Sequence, residues 1–338
     1  MKFVLFCNLP YAFGILRPLE LELKKHGFEY IWYLPKEIEK LFKYENYTTN
    51  IKDIRDFKSD VIFVPGNEVP YYLRGLKVQI FHGLAGEKKG HFRIRDYFDL
   101  YLTQGPYFTK RFEELSQIHK NFEVIQTGWP KLDNLFVDDA QEKRKEILNK
   151  HNVKNIVLYS PTFSRSLHSA NEMYDEIQKF GKETLIIIKF HDKMDEEIKA
   201  RYENLKSKNI LISQEKDITK LLKISDLMIS DTSSVVYEFA LLNKPVVTIN
   251  STSPNIVWED LKDAKEIVPK VHQILDGDDK FKEKRKKLYD EYHPYDDSNS
   301  ALRMIDAVVK YLDTREVPTK RKISLLRKLK ILKIYKDS

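Results

Sequence analysis

Short runs of consecutive apolar residues constrain the fold of this chain more than any other feature of its sequence. In a run such as VIFV at residues 61–64 no polar residue alternates with the apolar ones, as it would in a strand with one face in water. Strands that are buried on both faces are typical of parallel sheets covered by helices. Six strand-like runs rich in β-branched and aromatic residues occur in the first half of the chain, at residues 3–7, 30–34, 61–64, 78–81, 100–103 and 124–127.

The pattern starts again after a charged segment, DDAQEKRKEILNKHNVKN at residues 138–155, which resembles a helical bridge between domains. Two successive series of alternating strands and helices predict an α/β fold with two doubly wound, Rossmann-like domains that face each other across a cleft. The apolar runs of the second series lie at residues 156–159, 185–190, 210–212, 227–229 and 246–249.

Composition limits the location and the partners of the protein. The 338 residues suit two domains of ordinary size, and the single cysteine, Cys7, fits a reducing compartment. We find no signal peptide, and no stretch approaches the roughly 20 apolar residues of a spanning helix. The net charge of +7 comes mainly from the C-terminal segment, so it does not argue for a nucleic-acid partner. We therefore expect a cytoplasmic protein.

The most specific segment is ISDLMISDTSSVVYEFALLNKPVVTIN at residues 224–250. A buried strand ends at Asp231, and Thr232, Ser233 and Ser234 open a helix. Hydroxyl groups and unpaired backbone N–H groups at the start of a helix suit a phosphate. A simpler interpretation is that Ser233 only caps its helix. The location at the carboxyl end of a strand, where open α/β sheets bind ligands, favours the phosphate site.

A candidate general base lies in the segment IFHGLAGEKKG at residues 80–90. His82 and Gly83 follow a strand directly, and the pKa of a histidine lies near working pH. Lys88 and Lys89 are candidates for holding an anionic acceptor, or they are solvated. The alternative for His82 is that it only satisfies neighbouring backbone carbonyls.

Three shorter motifs follow other strands. TGWPKLD at residues 127–133 is placed like the start of an interdomain hinge. YSPTFSRS offers Thr162 and Arg165 to a phosphate, and IIIKFHDK ends with Lys189 and His191, two possible cationic partners of a diphosphate. The nine histidines show no metal-binding spacing, and no DxD pair follows a strand. We therefore expect a mechanism without a metal or another cofactor.

Together these motifs resemble the CDP-glycerol glycerophosphotransferase family, which comprises bacterial teichoic-acid primases and polymerases and their capsule-building relatives. The resemblance extends over residues 78–305 and rests on these motifs, in order: FHG, GPYF, TGWPKLD, YSPTF, KFH, SDLMISDTSSVVYEFALLNKP and YDDSNSALR. It implies a GT-B-like fold whose second domain holds the nucleotide donor. It also implies metal-independent transfer of glycerol or ribitol phosphate from a CDP-alditol donor to a cell-surface polymer or lipid-linked acceptor, with release of CMP.

The resemblance also implies roles for individual residues. His82 would be the base that activates the acceptor hydroxyl. The residues that would hold the donor phosphates are His191, Arg165, Ser233, Ser234 and Arg303. Two alternatives stay open: a glycosyltransferase or epimerase that uses a nucleotide sugar, and a non-catalytic scaffold of the same fold.

The expected division of the chain is an acceptor-side domain over residues 1–137, a nucleotide-donor domain over residues 138–314, and a basic amphipathic tail over residues 315–338. Between residues 320 and 336 there are eight lysines or arginines and no acid. Such a segment is typical of a helix on an anionic membrane surface, here the inner face of the bacterial cell membrane. A solvated basic end, or a helix packed back through its leucines, is the alternative. The leucines of one helical stripe are Leu325, Leu326, Leu329 and Leu332.

Overall fold

The computed structural model describes residues 1–84, 91–137, 139–215, 218–253 and 256–335. The chain divides into two compact units. Unit 1 comprises residues 1–136 and 291–338, and unit 2 comprises residues 137–290. Lys88 and Lys89, the candidates for holding an acceptor, lie outside the described residues.

Each unit contains one parallel sheet. The sheet of unit 1 has the strand order β3-β2-β1-β4-β5-β6-β7, and the sheet of unit 2 has the order β10-β9-β8-β11-β12-β13. The prediction of two Rossmann-like α/β units is confirmed. The strands are β1 Lys2–Phe6, β2 Glu29–Tyr33, β3 Tyr47–Thr48, β4 Val61–Val64, β5 Leu76–Gln79, β6 Leu100–Thr103, β7 Glu123–Gln126, β8 Asn155–Tyr159, β9 Thr184–Ile188, β10 Ile210–Ile212, β11 Leu227–Ser230, β12 Val246–Ile249 and β13 Glu259–Leu261.

Helices connect most of the consecutive strands, as is usual for parallel pairing. Their apolar faces pack on the sheets, so that β1, β4, β8 and β11 are almost fully buried. Among the described residues, no helix is both long and apolar enough to span a membrane. The helices are α1 Phe13–Lys25, α2 Ile51–Phe57, α3 Pro106–His119, α4 Gln141–His151, α5 Ala170–Ile177, α6 Glu196–Glu203, α7 Thr219–Ile224, α8 Val235–Ala240, α9 Ile267–Leu275, α10 Lys282–Tyr292, α11 Ser300–Thr314 and α12 Leu325–Ile334.

All eleven predicted strands are present, and two differences have a physical reason. The short strands β3 and β13 lie at sheet edges, and their sequences, YT and EDL, contain no apolar run. Strand β5 begins two residues earlier than predicted, because it buries Lys77 and Gln79, two polar residues that interrupt the run. Lys77 Nζ donates to the Leu73 carbonyl at 2.7 Å, and this bond offsets part of the burial cost.

The C-terminal helices α11 and α12 both belong to unit 1, which resumes at residue 291. This differs from the expected division, which placed α11 in the donor domain over residues 138–314 and α12 in a separate tail over residues 315–338. The side chain of Asp133, in the TGWPKLD motif, accepts hydrogen bonds from the backbone N–H groups of Ser300 at 3.0 Å and Ala301 at 2.9 Å. A Cβ on Gly128, whose φ is +85°, would lie 2.5 Å from Ser300 Oγ. The TGWPKLD and SNSALR motifs therefore fix the start of α11 on unit 1.

The tail beyond α11 also packs on unit 1. Ile323, Ile331 and Tyr335 are buried in a core cluster that includes residues of β1 and β4. Arg321 pairs with the buried carboxylate of Asp99, and the Arg321 Nε–Asp99 Oδ1 distance is 2.8 Å. The helix α12 thus docks through Ile331 and Tyr335, and not through the leucine stripe.

Candidate functional site

The loops that follow β9, β8 and β11 lie side by side at the carboxyl edge of the sheet in unit 2, because these three strands are neighbours. The β8 loop carries the YSPTFSRS motif, the β9 loop carries KFHDK, and the β11 loop carries DTSS. This edge brings together all the predicted donor-binding residues except Arg303. They are Thr162, Arg165, Lys189, His191, Asp231, Thr232, Ser233 and Ser234.

Asp231 holds the β8 loop in place. Its side chain is 1% exposed, and Oδ1 accepts the backbone N–H of Thr162 at 2.8 Å. Oδ2 accepts the N–H of Ser169 at 2.9 Å and the Ser169 hydroxyl at 3.0 Å. Burial raises the pKa of Asp231, and these hydrogen bonds oppose the increase. Both carboxylate oxygens of Asp231 therefore accept hydrogen bonds from the β8 loop. The structure thus gives Asp231 the role of positioning this loop, instead of the predicted contact with a ligand.

The hydroxyls that begin α8 are placed differently. Ser234 occupies the N-cap position of α8, where its side chain makes no capping hydrogen bond, and it is exposed. Thr232 Oγ1 accepts the N–H of Thr252 at 3.0 Å, which connects the β11 loop to the loop after β12. Capping therefore does not account for Ser234, and its hydroxyl faces solvent beside the half-buried Ser233.

His191 lies in the β9 loop against an aromatic ring. Its ring centroid is 4.4 Å from that of Phe163, in the β8 loop, a contact that sequence reasoning missed. The backbone N–H of Lys193 donates to His191 Nδ1 at 3.0 Å. Desolvation lowers the pKa of His191, and the neighbouring Lys193 and Lys189 lower it further, whereas Asp192 raises it. These effects favour the neutral ring.

Two cations accompany His191 at this edge. Lys189 Nζ donates to the Phe190 carbonyl at 2.8 Å, and its side chain is 12% exposed. The guanidinium of Arg165 donates to Asp195 Oδ2 at 2.6 Å, although 86% of its side chain is exposed. A surface pair of this kind contributes little to stability, so Arg165 can exchange Asp195 for an anionic ligand at low cost.

The sheet of unit 1 presents His82 at its own carboxyl edge. The preceding residue, Phe81, has a φ of +61°, a left-handed conformation that is strained for a bulky side chain. Its ring is held in the core by Phe112, at a centroid distance of 5.0 Å. This turn leaves His82 exposed, with its ring centroid 5.5 Å from that of Tyr11 in the loop after β1. The ring Nδ1 is 3.2 Å from the carbonyl oxygen of Pro65.

Two buried glutamines support the His82 segment. Gln79 Nε2 donates to the carbonyls of Gly66 at 2.7 Å and Pro65 at 3.3 Å. Gln104 Nε2 donates to the carbonyl of Gly83 at 3.1 Å. Sequence reasoning missed both residues, although amides at the ends of otherwise apolar strands are a signal that could have been used.

Arg303 is not among the residues gathered in unit 2. It lies on α11 of unit 1, where its Nε donates to the Thr127 carbonyl at 2.8 Å. One of its terminal nitrogens donates to Asp297 at 2.6 Å, and the guanidinium lies 4.0 Å from the centroid of the Tyr295 ring. These contacts connect α11 to the TGWPKLD motif. The predicted contact of Arg303 with a donor phosphate stays a prediction.

Across the described part of the chain, no group of three or more His, Cys, Asp or Glu side chains could hold a metal ion. The chemistry available at the two edges includes that of hydroxyls, backbone N–H groups, the cations Lys189 and Arg165, and the histidines His191 and His82. Those groups suit the binding of a phosphorylated ligand in unit 2 and proton transfer in unit 1.

Comparison with known proteins settles the family. Residues 79–310 match the family model described as CDP-Glycerol:Poly(glycerophosphate) glycerophosphotransferase. The chain belongs to this family. The matched range contains every segment of the two edges described above except the loops after β1 and β4.

Named relatives in the family act in teichoic-acid synthesis. The chain is 31% identical to a teichoic acid glycerol-phosphate primase of Bacillus spizizenii over 157 residues, which are 44% of this chain and 39% of the primase. It is 26% identical to the ribitol-phosphate polymerase TarL of Staphylococcus aureus, over 82% of this chain and 59% of TarL. The match therefore covers less than two thirds of the length of either relative.

Solved structures confirm the fold. The wall teichoic acid polymerase TagF, in a variant soaked with CDPG, superposes with a TM-score of 0.66 at 15% identity, covering 92% of this chain and 89% of that one. A putative UDP-N-acetylglucosamine 2-epimerase of Listeria monocytogenes superposes with a TM-score of 0.69 at 14% identity, covering 94% of this chain and 98% of that one. Both are similar in fold, which matches the predicted GT-B-like architecture.

Proposed function

We propose that the protein transfers glycerol phosphate or ribitol phosphate from a CDP-alditol to a polymeric or lipid-linked acceptor and releases CMP. The observation that carries the proposal is the carboxyl edge of the unit 2 sheet. Three neighbouring loops there bring hydroxyls, backbone N–H groups and two cations together in a member of a glycerophosphotransferase family. This combination is suited to a diphosphate.

The proposed reaction needs positioning and charge stabilisation more than covalent assistance. The donor diphosphate binds at the unit 2 edge, where Ser233, Ser234 and Thr162 hydrogen-bond to it and Lys189 and Arg165 offset its charge. His191 stabilises the charge that develops on the leaving CMP phosphate. His82 in unit 1 takes the proton of the attacking acceptor hydroxyl.

The test is a donor screen that measures nucleotide release by the full chain. CDP-glycerol, CDP-ribitol and UDP-N-acetylglucosamine are each incubated with the protein and a soluble acceptor analogue, with and without EDTA. We expect CMP from one or both CDP-alditols, at an equal rate in EDTA. Turnover of the UDP-sugar alone would favour the nucleotide-sugar alternative, and loss of activity in EDTA would contradict the metal-independent mechanism.

We also propose that the tail helix α12 holds the protein on an anionic membrane surface, at the inner face of the cell membrane. The four leucines of the stripe are between 44% and 81% exposed, although α12 is docked through its opposite side. Three of the nearby cations already pair with acids of unit 1: Arg321 with Asp99, Arg327 with Asp96, and Lys330 with Glu68. The apolar stripe therefore contributes more to binding, and charge less, than the sequence alone suggests.

Removal of the tail is a poor test, because it would leave the buried Asp99 without its cation. We expect the double variant Leu325→Ser, Leu326→Ser of the full chain to fold normally and to bind vesicles of anionic phospholipid at least ten-fold more weakly. The matched control is Ile118→Ser on α3, an exposed apolar residue outside the basic segment. Equal vesicle binding by the double variant and the wild type would exclude α12 from membrane attachment.

A further inference from the structure

The backbone around His82 determines which ring nitrogen carries a proton. His82 Nδ1 lies 3.2 Å from the Pro65 carbonyl oxygen. A carbonyl oxygen can only accept a hydrogen bond, so Nδ1 must be the donor. In the neutral ring the proton is then on Nδ1, and Nε2 is the basic nitrogen.

The backbone around His191 imposes the opposite arrangement. His191 Nδ1 lies 3.0 Å from the backbone nitrogen of Lys193. A backbone N–H can only donate, so Nδ1 must present its lone pair. The neutral ring of His191 therefore carries its proton on Nε2, which becomes a hydrogen-bond donor.

A buried side chain fixes the carbonyl that orients His82. Gln79 is 3% exposed, and its Nε2 donates to the carbonyls of Pro65 and Gly66, the two residues that follow β4. Pro65 thus receives hydrogen bonds from both Gln79 and His82. Gln79 reaches the ring of His82 only through this carbonyl, which makes it a positioning residue.

We propose that the fold gives the two histidines opposite tautomers, so that Nε2 of His82 accepts a proton and Nε2–H of His191 donates a hydrogen bond. The inference rests on the proposed function. The acceptor hydroxyl oxygen forms a bond to the β-phosphorus of the donor, and its proton moves to Nε2 of His82. The bond between the β-phosphorus and the bridging oxygen breaks, and CMP leaves with the electron pair. His191 Nε2–H hydrogen-bonds to that leaving phosphate and keeps its proton.

The direct test does not depend on activity. Two-bond ¹H–¹⁵N correlation spectra of the full chain, labelled with ¹⁵N-histidine, report the tautomer of each ring. The signals are assigned with the variants His82→Gln and His191→Gln. We expect a protonated Nδ1 for His82 and a protonated Nε2 for His191 at a pH where the rings are neutral. The same tautomer in both rings would overturn the proposal.

Substitution of Gln79 tests the positioning role. In Gln79→Leu we expect the His82 signals to shift toward a mixture of tautomers and kcat to fall about ten-fold with KM for the donor unchanged. The matched control is Gln104→Leu, because Gln104 is also buried and its amide donates to the carbonyl of the neighbouring Gly83. The control should keep the tautomer of His82. An unchanged tautomer in a folded Gln79→Leu variant would exclude Gln79 from this role.

A pair of substitutions at each histidine tests the roles. A glutamine amide can place N–H near the position of Nε2, whereas an asparagine amide reaches only the position of Nδ1. We expect His191→Gln to release CMP at least ten-fold faster than His191→Asn, and both substitutions of His82 to be equally inactive. Equal loss in the two His191 variants would contradict the donor role. If the wild type released no CMP at all, the proposed function would fail, whereas the tautomers would still be measured.

Discussion

The carboxyl edges of the two sheets share a topology but differ in their chemistry. In unit 2 the described loops carry the cations Lys189, Lys193 and Arg165 beside the hydroxyls of the β11 loop. In unit 1 the exposed His82 lies beside the ring of Tyr11, and the neutral amides of Gln79 and Gln104 hold the backbone around it. A diphosphate needs the first kind of edge, and a neutral hydroxyl that must lose a proton needs the second. Under the proposed function, one fold that occurs twice in the chain would serve the two halves of a transfer reaction.

Different kinds of buried side chain hold the loops at the two edges in place. In unit 2 a buried carboxylate, Asp231, holds the β8 loop, and its charge is offset by three hydrogen bonds. In unit 1 two neutral amides, Gln79 and Gln104, hold the segments around His82. A neutral support does not bias the charge of the histidine ring, whereas a carboxylate beside His82 would stabilise the protonated ring, which cannot act as a base.

The largest effect should follow from removal of the base in unit 1. We predict that His82→Ala lowers turnover by about 10²–10⁴-fold, the usual cost of losing a general base. Affinity for the CDP donor should stay within a few-fold of the wild type, because the proposed donor site lies in unit 2. Turnover is measured by CMP release and affinity by calorimetry. His26→Ala, which changes a histidine between α1 and β2, is the control, and a His82→Ala variant that keeps half of the activity would refute the role.

Removal of the buried carboxylate in unit 2 should have the next largest effect. Asp231→Ala removes the acceptor of three hydrogen bonds in the β8 loop, two of them buried, which should destabilise the folded protein by about 2–3 kcal/mol. Because the β8 loop loses its anchor, donor affinity should fall as well. Both quantities follow from thermal unfolding recorded with and without CDP-glycerol.

The matched control for this prediction is Asp133→Ala in unit 1. Asp133 is also a buried carboxylate that accepts two backbone N–H groups, but it holds α11 instead of a donor loop. We expect a comparable loss of stability with unchanged donor affinity. If both variants weakened donor binding equally, the effect would come from general destabilisation and the distinction between the two edges would be lost.

The smallest effect should come from the hydroxyls of unit 2. We predict that the double variant Ser233→Ala, Ser234→Ala weakens donor affinity about ten-fold, which corresponds to roughly 1.4 kcal/mol. Stability should change little, because the Ser234 side chain makes no capping bond. Ser207→Ala, at the amino edge of the same sheet, should leave affinity unchanged. Unaltered donor affinity in the folded double variant would remove both serines from the phosphate site.

The sequence by itself determined the fold class and most of the candidate residues. Runs such as VIFV predict parallel strands because only a covered sheet can bury both faces of a strand. Residues just beyond such runs must then lie at a carboxyl edge, which placed Thr162, Lys189, His191 and Ser233 correctly in one region. These inferences rest on local periodicity and chain order, both of which are fully present in the sequence.

Only the tertiary structure decided which atoms meet. The sequence does not show that the Asp231 carboxylate is hydrogen-bonded to the β8 loop or that α11 belongs to unit 1. Nor does it show that α12 docks through Ile331 and leaves its leucines exposed. It also does not show which partner faces His82 Nδ1 or His191 Nδ1. Each of these depends on contacts between segments far apart in the chain, whose geometry local patterns do not encode.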